Sequence, residues 1–166
     1  MLDIVTLGDD AIDGILRKKA GPIKDFGPDI KALVEGMHEA MLRGKGIGLA
    51  GPQVDRSLRI FVTNVEGDQA RAFINPEIVM TSTEEVDYEE GCLSIPGLYT
   101  NVRRPASVRI QAWNERGRPF TLDATELLAR VILHENDHLE GILFIDRLSA
   151  SRRERALSTY LKKIRM

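Results

Sequence analysis

The sequence predicts an α+β fold with mostly antiparallel sheet. Three observations carry that prediction. A helix-like segment is followed by several strand-like runs and then a second helix, without the regular strand–helix alternation of parallel sheet. Two of the strand-like runs flank the segment NERG, which reads as a hairpin turn. No repeat, low-complexity tract or long linker interrupts the 166 residues, so a single domain, 1–166, is expected.

The elements follow in order. After a loop-like start, GPDIKALVEGMHEAMLRGKG reads as a helix. Ile30, Leu33, Val34, Met37 and Met41 recur at helical spacing, Asp29 is the expected N-cap, and Gly44 is a natural stop. A glycine-rich segment, GKGIGLAGPQV, leads to the strand-like runs LRIFVTNV, AFINPEIVM and STEEVDYEE. Pro76 makes the middle run irregular or an edge. ASVRIQAW and RPFTLDA form the hairpin. TELLARVILHENDHLEG is the second helix, with a cap at Asp123 or Thr125 and a stop at Gly141. The tail, about 150–166, reads as a third, basic amphipathic helix. Its apolar stripe is Leu157, Tyr160, Leu161 and Ile164.

Composition excludes several classes. A formal net charge of −2 argues against a generally nucleic-acid-binding surface, and no DNA partner is expected. A single cysteine forms no internal disulfide. The N-terminal run MLDIVTLGDDAIDGIL carries acids where a signal peptide is basic, and no apolar stretch approaches the roughly 20 residues of a membrane span. A soluble cytoplasmic protein is the expectation.

The chemistry centres on HENDH, His134 to His138, an H-E-x-x-H motif. Residues four apart share a helix face, so both imidazoles reach one metal ion. Glu135 lies about 100° round the helix, beside such an ion without ligating it, where a general base belongs. The bland alternative is an exposed helix that carries these charges by chance. Two facts oppose it. Two of the chain's three histidines fall in the motif. Leu127, Leu128, Val131, Ile132 and Leu139 make the helix half-buried, so inward histidines need partners. The sheets are expected to pack around it as a central helix. His38, amid polar neighbours, reads as a surface residue.

A catalytic site of this kind has three protein ligands and one open position. Glu140, Asp146 and Glu154 are downstream candidates for the third, and Cys92 is the upstream one. A thiolate suits a borderline or soft divalent metal. Cys92 also reads as a nucleophile or as an inert buried thiol, and spacing alone does not separate these readings.

Three segments then enter together: GIGLAGPQ (Gly46–Gln53), EGCLS (Glu90–Ser94) and HENDH. In this order they resemble the signature motifs of peptide deformylases, and the likeness extends through LEGILFIDRL. The resemblance implies an amidase that removes the N-formyl group from the initiator methionine of nascent bacterial or organellar chains. By that resemblance Cys92, His134 and His138 are metal ligands, and metal-bound water attacks the formyl carbon with Glu135 as general acid/base. Gln53 and the Leu93 N–H hold the developing oxyanion. Ile47, Leu127 and Val131 wall the methionine pocket, while Gly46, Gly48 and Gly91 give close backbone approach. One divalent ion is implied, iron(II) foremost, with zinc, nickel or cobalt as alternatives. The partners implied are formyl-methionyl nascent peptides and, through the C-terminal helix, the ribosome. A monomer in a bacterial cytoplasm is expected, an organellar mature form being the other setting.

Two positions depart from the pattern. Gly51 stands where many members have alanine, which is expected to loosen the Gln53 loop. Tyr99 stands where some have an arginine that binds the peptide beyond methionine. Glu90, badly placed for the same ion, is expected to fix the cysteine loop through an ion pair with Arg104, or with Arg103.

Overall fold

The computed structural model describes residues 1–8 and 14–165, so part of the N-terminal run and the last residue of the tail lie outside the described residues. Helix α1 spans Pro28–Arg43 and strands β1 (Gly48–Ala50), β2 (Ile60–Thr63) and β3 (Arg71–Thr81) follow. Next come β4 (Glu85–Cys92), β5 (Ile95–Pro105), β6 (Ser107–Trp113) and β7 (Pro119–Thr125). Helices α2 (Glu126–Leu139) and α3 (Ala150–Ile164) close the chain. Two 3₁₀ turns span Gly51–Val54 and Phe144–Arg147.

The strands form a five-stranded antiparallel sheet, β1-β2-β3-β6-β7, and an antiparallel ribbon, β4-β5. Helix α2 packs on β1, β2, β6 and β7 and also touches β5, so it lies between sheet and ribbon. This is the expected α+β arrangement with the motif helix at its centre.

Apolar periodicity explains the packing. Ile30, Val34, Met37 and Met41 of α1 bury against Leu49, Ile60 and Val62. Ala129, Ile132 and Leu139 of α2 meet Phe61, Phe73 and Ile110 of the sheet. Tyr160 of α3 is buried, and its hydroxyl donates to the Leu7 carbonyl at 2.6 Å. Pro76 falls in a register shift of β3, beside Asn75 at φ +49°, as the missing N–H predicts. Among the described residues no helix is long and apolar enough to cross a membrane.

Several local expectations are corrected. Gly27, not Asp29, is the N-cap of α1. Pro28 takes the first helical position, which needs no N–H, and puts Asp29 in the first turn. Thr125 occupies the N-cap position of α2 without a side-chain cap bond. Asp123 is instead paired with Arg109 across β6 and β7. The chain turns straight from β7 into α2, and Glu126 makes the corner at φ +54°. His38 is half-buried, and that burial, partly offset by Glu115, lowers its pKa.

Candidate active site

Four segments converge on one cleft of about 540 Å³. The approach to β1 supplies Gly46, Ile47 and Gly48, and the first 3₁₀ turn supplies Gln53. The end of β4 and its turn supply Glu90, Gly91, Cys92 and Leu93. Helix α2 supplies Leu127, Val131, His134 and Glu135. Of the metal, catalytic, pocket and support residues that the resemblance and the Glu90 ion pair nominate, His138 and Arg104 do not line the cleft. Both are buried, at 1% and 3% exposure.

The ligand atoms of Cys92, His134 and His138 all lie within 4.8 Å of one another. Among the described residues they are the group able to hold a metal ion. Cys92 Sγ is 3.4 Å from His138 Nε2. His134 Nδ1 meets a Glu90 carboxylate oxygen at 2.8 Å, which leaves Nε2 for the cleft. Glu135 is buried, and its Oε1 has no hydrogen-bond partner within the chain. One thiol, two imidazoles and a spare carboxylate gathered in one corner of the cleft fit a divalent cation. The downstream acids do not join them. Glu140 is paired with Arg59 at 3.0 Å, and Asp146 accepts from Arg153 at 2.9 Å.

The site's electrostatics follow from burial. Burial raises the Glu135 carboxyl to about 7, against the opposing charge of His134. For His134, burial pulls downward, but the Glu135 charge and bonds to Cys92 and Glu90 prevail and raise it to about 10. Burial and the neighbouring His134 hold His138 well below the usual imidazole value.

Gln53 is fixed at both ends of its amide. Its Oε1 accepts from Ala50 N at 2.9 Å, and its Nε2 donates to Ser94 Oγ at 3.0 Å while standing 3.5 Å from Cys92 Sγ. Glycine at 48 is demanded by contact: a Cβ there would lie 2.6 Å from Glu135 Oε2 and 2.7 Å from Val131 Cγ1. Gly51 does not loosen its loop. It is buried, and a Cβ would meet the Arg56 and Leu58 carbonyls at 2.8 Å. Tyr99 is 65% exposed in the cleft, with its ring over Gly91, where a Cβ would lie 2.5 Å from Cε1.

The Glu90–Arg104 pair is present and buried: Nε meets Oε2 at 2.6 Å and Nη2 meets Oε1 at 3.1 Å. Arg103 faces outward to Glu85 and Asp87 instead. Burial alone would raise the Glu90 carboxyl, yet the hydrogen bonds from His134 and Arg104 hold it at about 2. Sequence reasoning missed the rest of this network. Arg130 also binds Glu90, and Asp137 links Arg104 to Arg147. The available signal was an arginine inside the apolar run LLARVIL, one turn before His134.

Comparisons with known proteins find relatives over most of the chain. The family model described as polypeptide deformylase matches residues 1–154. The chain is similar to the peptide deformylase of Treponema pallidum, strain Nichols, at 48% identity over 84% of this chain and 85% of that one. Peptide deformylase 1 of Clostridium perfringens is 51% identical over 81% and 91%. A crystal structure of a peptide deformylase from Legionella pneumophila superimposes with a TM-score of 0.90 at 38% identity, covering 99% and 96%. With the three motifs gathered at one cleft and likeness across nearly the full length, the chain belongs to the polypeptide deformylase family of hydrolases.

Proposed function

We propose that this chain, acting as one catalytic domain, hydrolyses the N-formyl group from formyl-methionyl nascent peptides and releases formate. The observation that carries this reading is the convergence of Cys92, His134 and His138 beside the buried, unpartnered Glu135 carboxylate oxygen. Cys92, His134 and His138 hold one divalent ion. When bound, the ion supplies Lewis acidity toward the formyl oxygen and lowers the pKa of water from about 15.7 toward roughly 7.

The chain's own groups do the rest. Glu135 takes a proton from the attacking water, whose oxygen bonds to the formyl carbon. The Gln53 amide and the Leu93 N–H hold the negative oxygen that develops. Glu135 then gives its proton to the leaving amine as the carbon–nitrogen bond breaks. Formate and a methionine-starting peptide leave, so atoms and protons balance. Ile47, Leu127 and Val131 offer apolar walls to the unbranched methionine side chain. β1 is an edge strand, so an extended peptide can add along Gly46 and Gly48.

Iron(II) is the ion this reading favours, with zinc, nickel and cobalt suited to the same ligands. The setting is a bacterial cytoplasm, with the protein a monomer. The exposed basic residues of α3, among them Arg155 and Lys162, provide a ribosome-facing side. Salt-sensitive ribosome binding that is lost on deleting α3 supports that contact.

One assay tests the reaction. Protein purified without oxygen is offered formyl-Met-Ala, acetyl-Met-Ala and an unblocked peptide. Selective formate release is expected. Internal peptide cleavage, or no turnover with metal retained, overturns the reading.

A further inference from the structure

Arg130 sits one helical turn before His134 on α2 and is 7% exposed. Its guanidinium binds three separate pieces of the ribbon. Nη1 donates to Glu90 Oε2 at 2.6 Å and to the Val102 carbonyl at 2.8 Å, and Nη2 donates to the Val86 carbonyl at 2.6 Å. Val86 and Glu90 lie on β4, and Val102 lies on β5. The Tyr88 ring covers the group at 5.7 Å. Arg130 therefore ties the helix that carries both histidines to the strand that ends in Cys92.

The Glu90 carboxylate is shared among three side chains. Oε2 takes Arg104 Nε and Arg130 Nη1, both at 2.6 Å, while Oε1 takes His134 Nδ1 at 2.8 Å and Arg104 Nη2 at 3.1 Å. Arg104 approaches from β5, whereas Arg130 approaches from the same helix as His134. With the carboxylate held from two sides, its Oε1 sets the ring plane of His134. Arg130 adds the one clamp that comes from the same helix as that ring.

We propose that Arg130 is a positioning residue that sets the affinity of the Cys92–His134–His138 centre for its metal, by holding Glu90 against His134 and the cysteine strand against the helix. This rests on the metal-dependent reading above. An outer partner of a metal-bound histidine typically tunes metal affinity by about 10–100-fold. Lysine has the charge but not the planar fork, so it cannot serve Glu90 and two carbonyls together.

The test uses full-length Arg130→Met and Arg130→Lys, with cobalt(II) as the probe. Measured quantities are the cobalt dissociation constant, the thiolate-to-cobalt absorption band and the melting temperature of metal-free protein. Arg130→Met is expected to weaken cobalt binding by about 10–100-fold and to shift the band, with Arg130→Lys intermediate. Unchanged affinity and band, with only a lower melting temperature, would show a purely structural arginine and overturn the proposal. Cys92→Ser is the control for the reading beneath it. If that variant kept wild-type cobalt affinity and spectrum, the metal centre itself would be misassigned, whatever Arg130 did.

Discussion

His134 Nδ1 and the Glu90 carboxylate meet at 2.8 Å across 44 residues of sequence. In the neutral ring the bond keeps the proton on Nδ1 and leaves the Nε2 lone pair toward Cys92 and His138. It also buries a carboxylate among two guanidiniums and one imidazole, so that each needs the others.

Glu90→Gln tests that interdependence. The amide keeps the shape but removes the charge opposite Arg104 and Arg130. Unpairing a buried ion typically costs about 3–5 kcal/mol. The expected result is a melting temperature lower by on the order of 10 °C. Metal content should fall with it. A variant with wild-type melting, metal and activity would remove Glu90 from this role.

Metal stoichiometry after dialysis separates the ligand assignments. Cys92→Ser and His138→Ala are each expected to lose most bound metal. Glu140→Ala is expected to keep it, because Glu140 is engaged by Arg59 at 3.0 Å. The opposite pattern would place the third ligand downstream.

Gly48→Ala probes the contact between β1 and the motif helix. The added methyl would lie 2.6 Å from Glu135 Oε2 and 2.7 Å from Val131 Cγ1. Either the carboxylate or the strand must shift. Since misplacing a catalytic group by about 1 Å can cost about 100-fold, formate release should fall by at least tenfold. Full activity in Gly48→Ala would mean that the Glu135 carboxylate has no fixed place beside β1.

Much of this was legible, for identifiable reasons. The i, i+4 histidines and the half-buried helix around them follow from one period of 3.6 residues. The hairpin followed from NERG, and the break in β3 from Pro76. β5 was missed because IPGLYTNVRRP hides its alternation. Leu98, Val102 and Arg104 point inward, but prolines and an inward arginine read as loop. That arginine is inward only because Glu90 and Asp137 meet it there. Arg130 was illegible for the same reason: a charge is admitted to a core by partners distant in sequence. Gly51 misled because its need comes from the Arg56 and Leu58 carbonyls, not from its own turn.

Asp146 sets an acid limb of stability outside the cleft. Burial would raise its carboxyl, but the Leu143 N–H, Arg153 and Arg17 outweigh burial and hold it below the usual range. A depressed folded-state pKa gives stability that is complete above the unfolded value of about 3.9. That stability disappears as pH falls through the lower folded value. Asp146→Asn should cost about 2 kcal/mol in urea unfolding at neutral pH. The gap between variant and wild type should close in acid. A gap that stays constant across the acid range would assign the loss to packing rather than charge.

Cys92 sets the chemical lifetime of the centre. It is half-buried and lines the open cleft, 3.4 Å from His138 Nε2. A ligating thiolate within reach of solvent is open to stepwise oxidation, and a sulfinate no longer matches a soft metal. With iron(II) bound, activity should decay in air in step with metal loss and with oxygen added at Cys92, as read by peptide mass. Zinc, which has no redox chemistry, should slow all three together. Because His134 and His138 cannot by themselves complete a three-ligand site, re-adding iron after thiol oxidation should not restore activity. Decay with Cys92 unmodified, reversed by fresh iron alone, would instead locate the failure in metal dissociation.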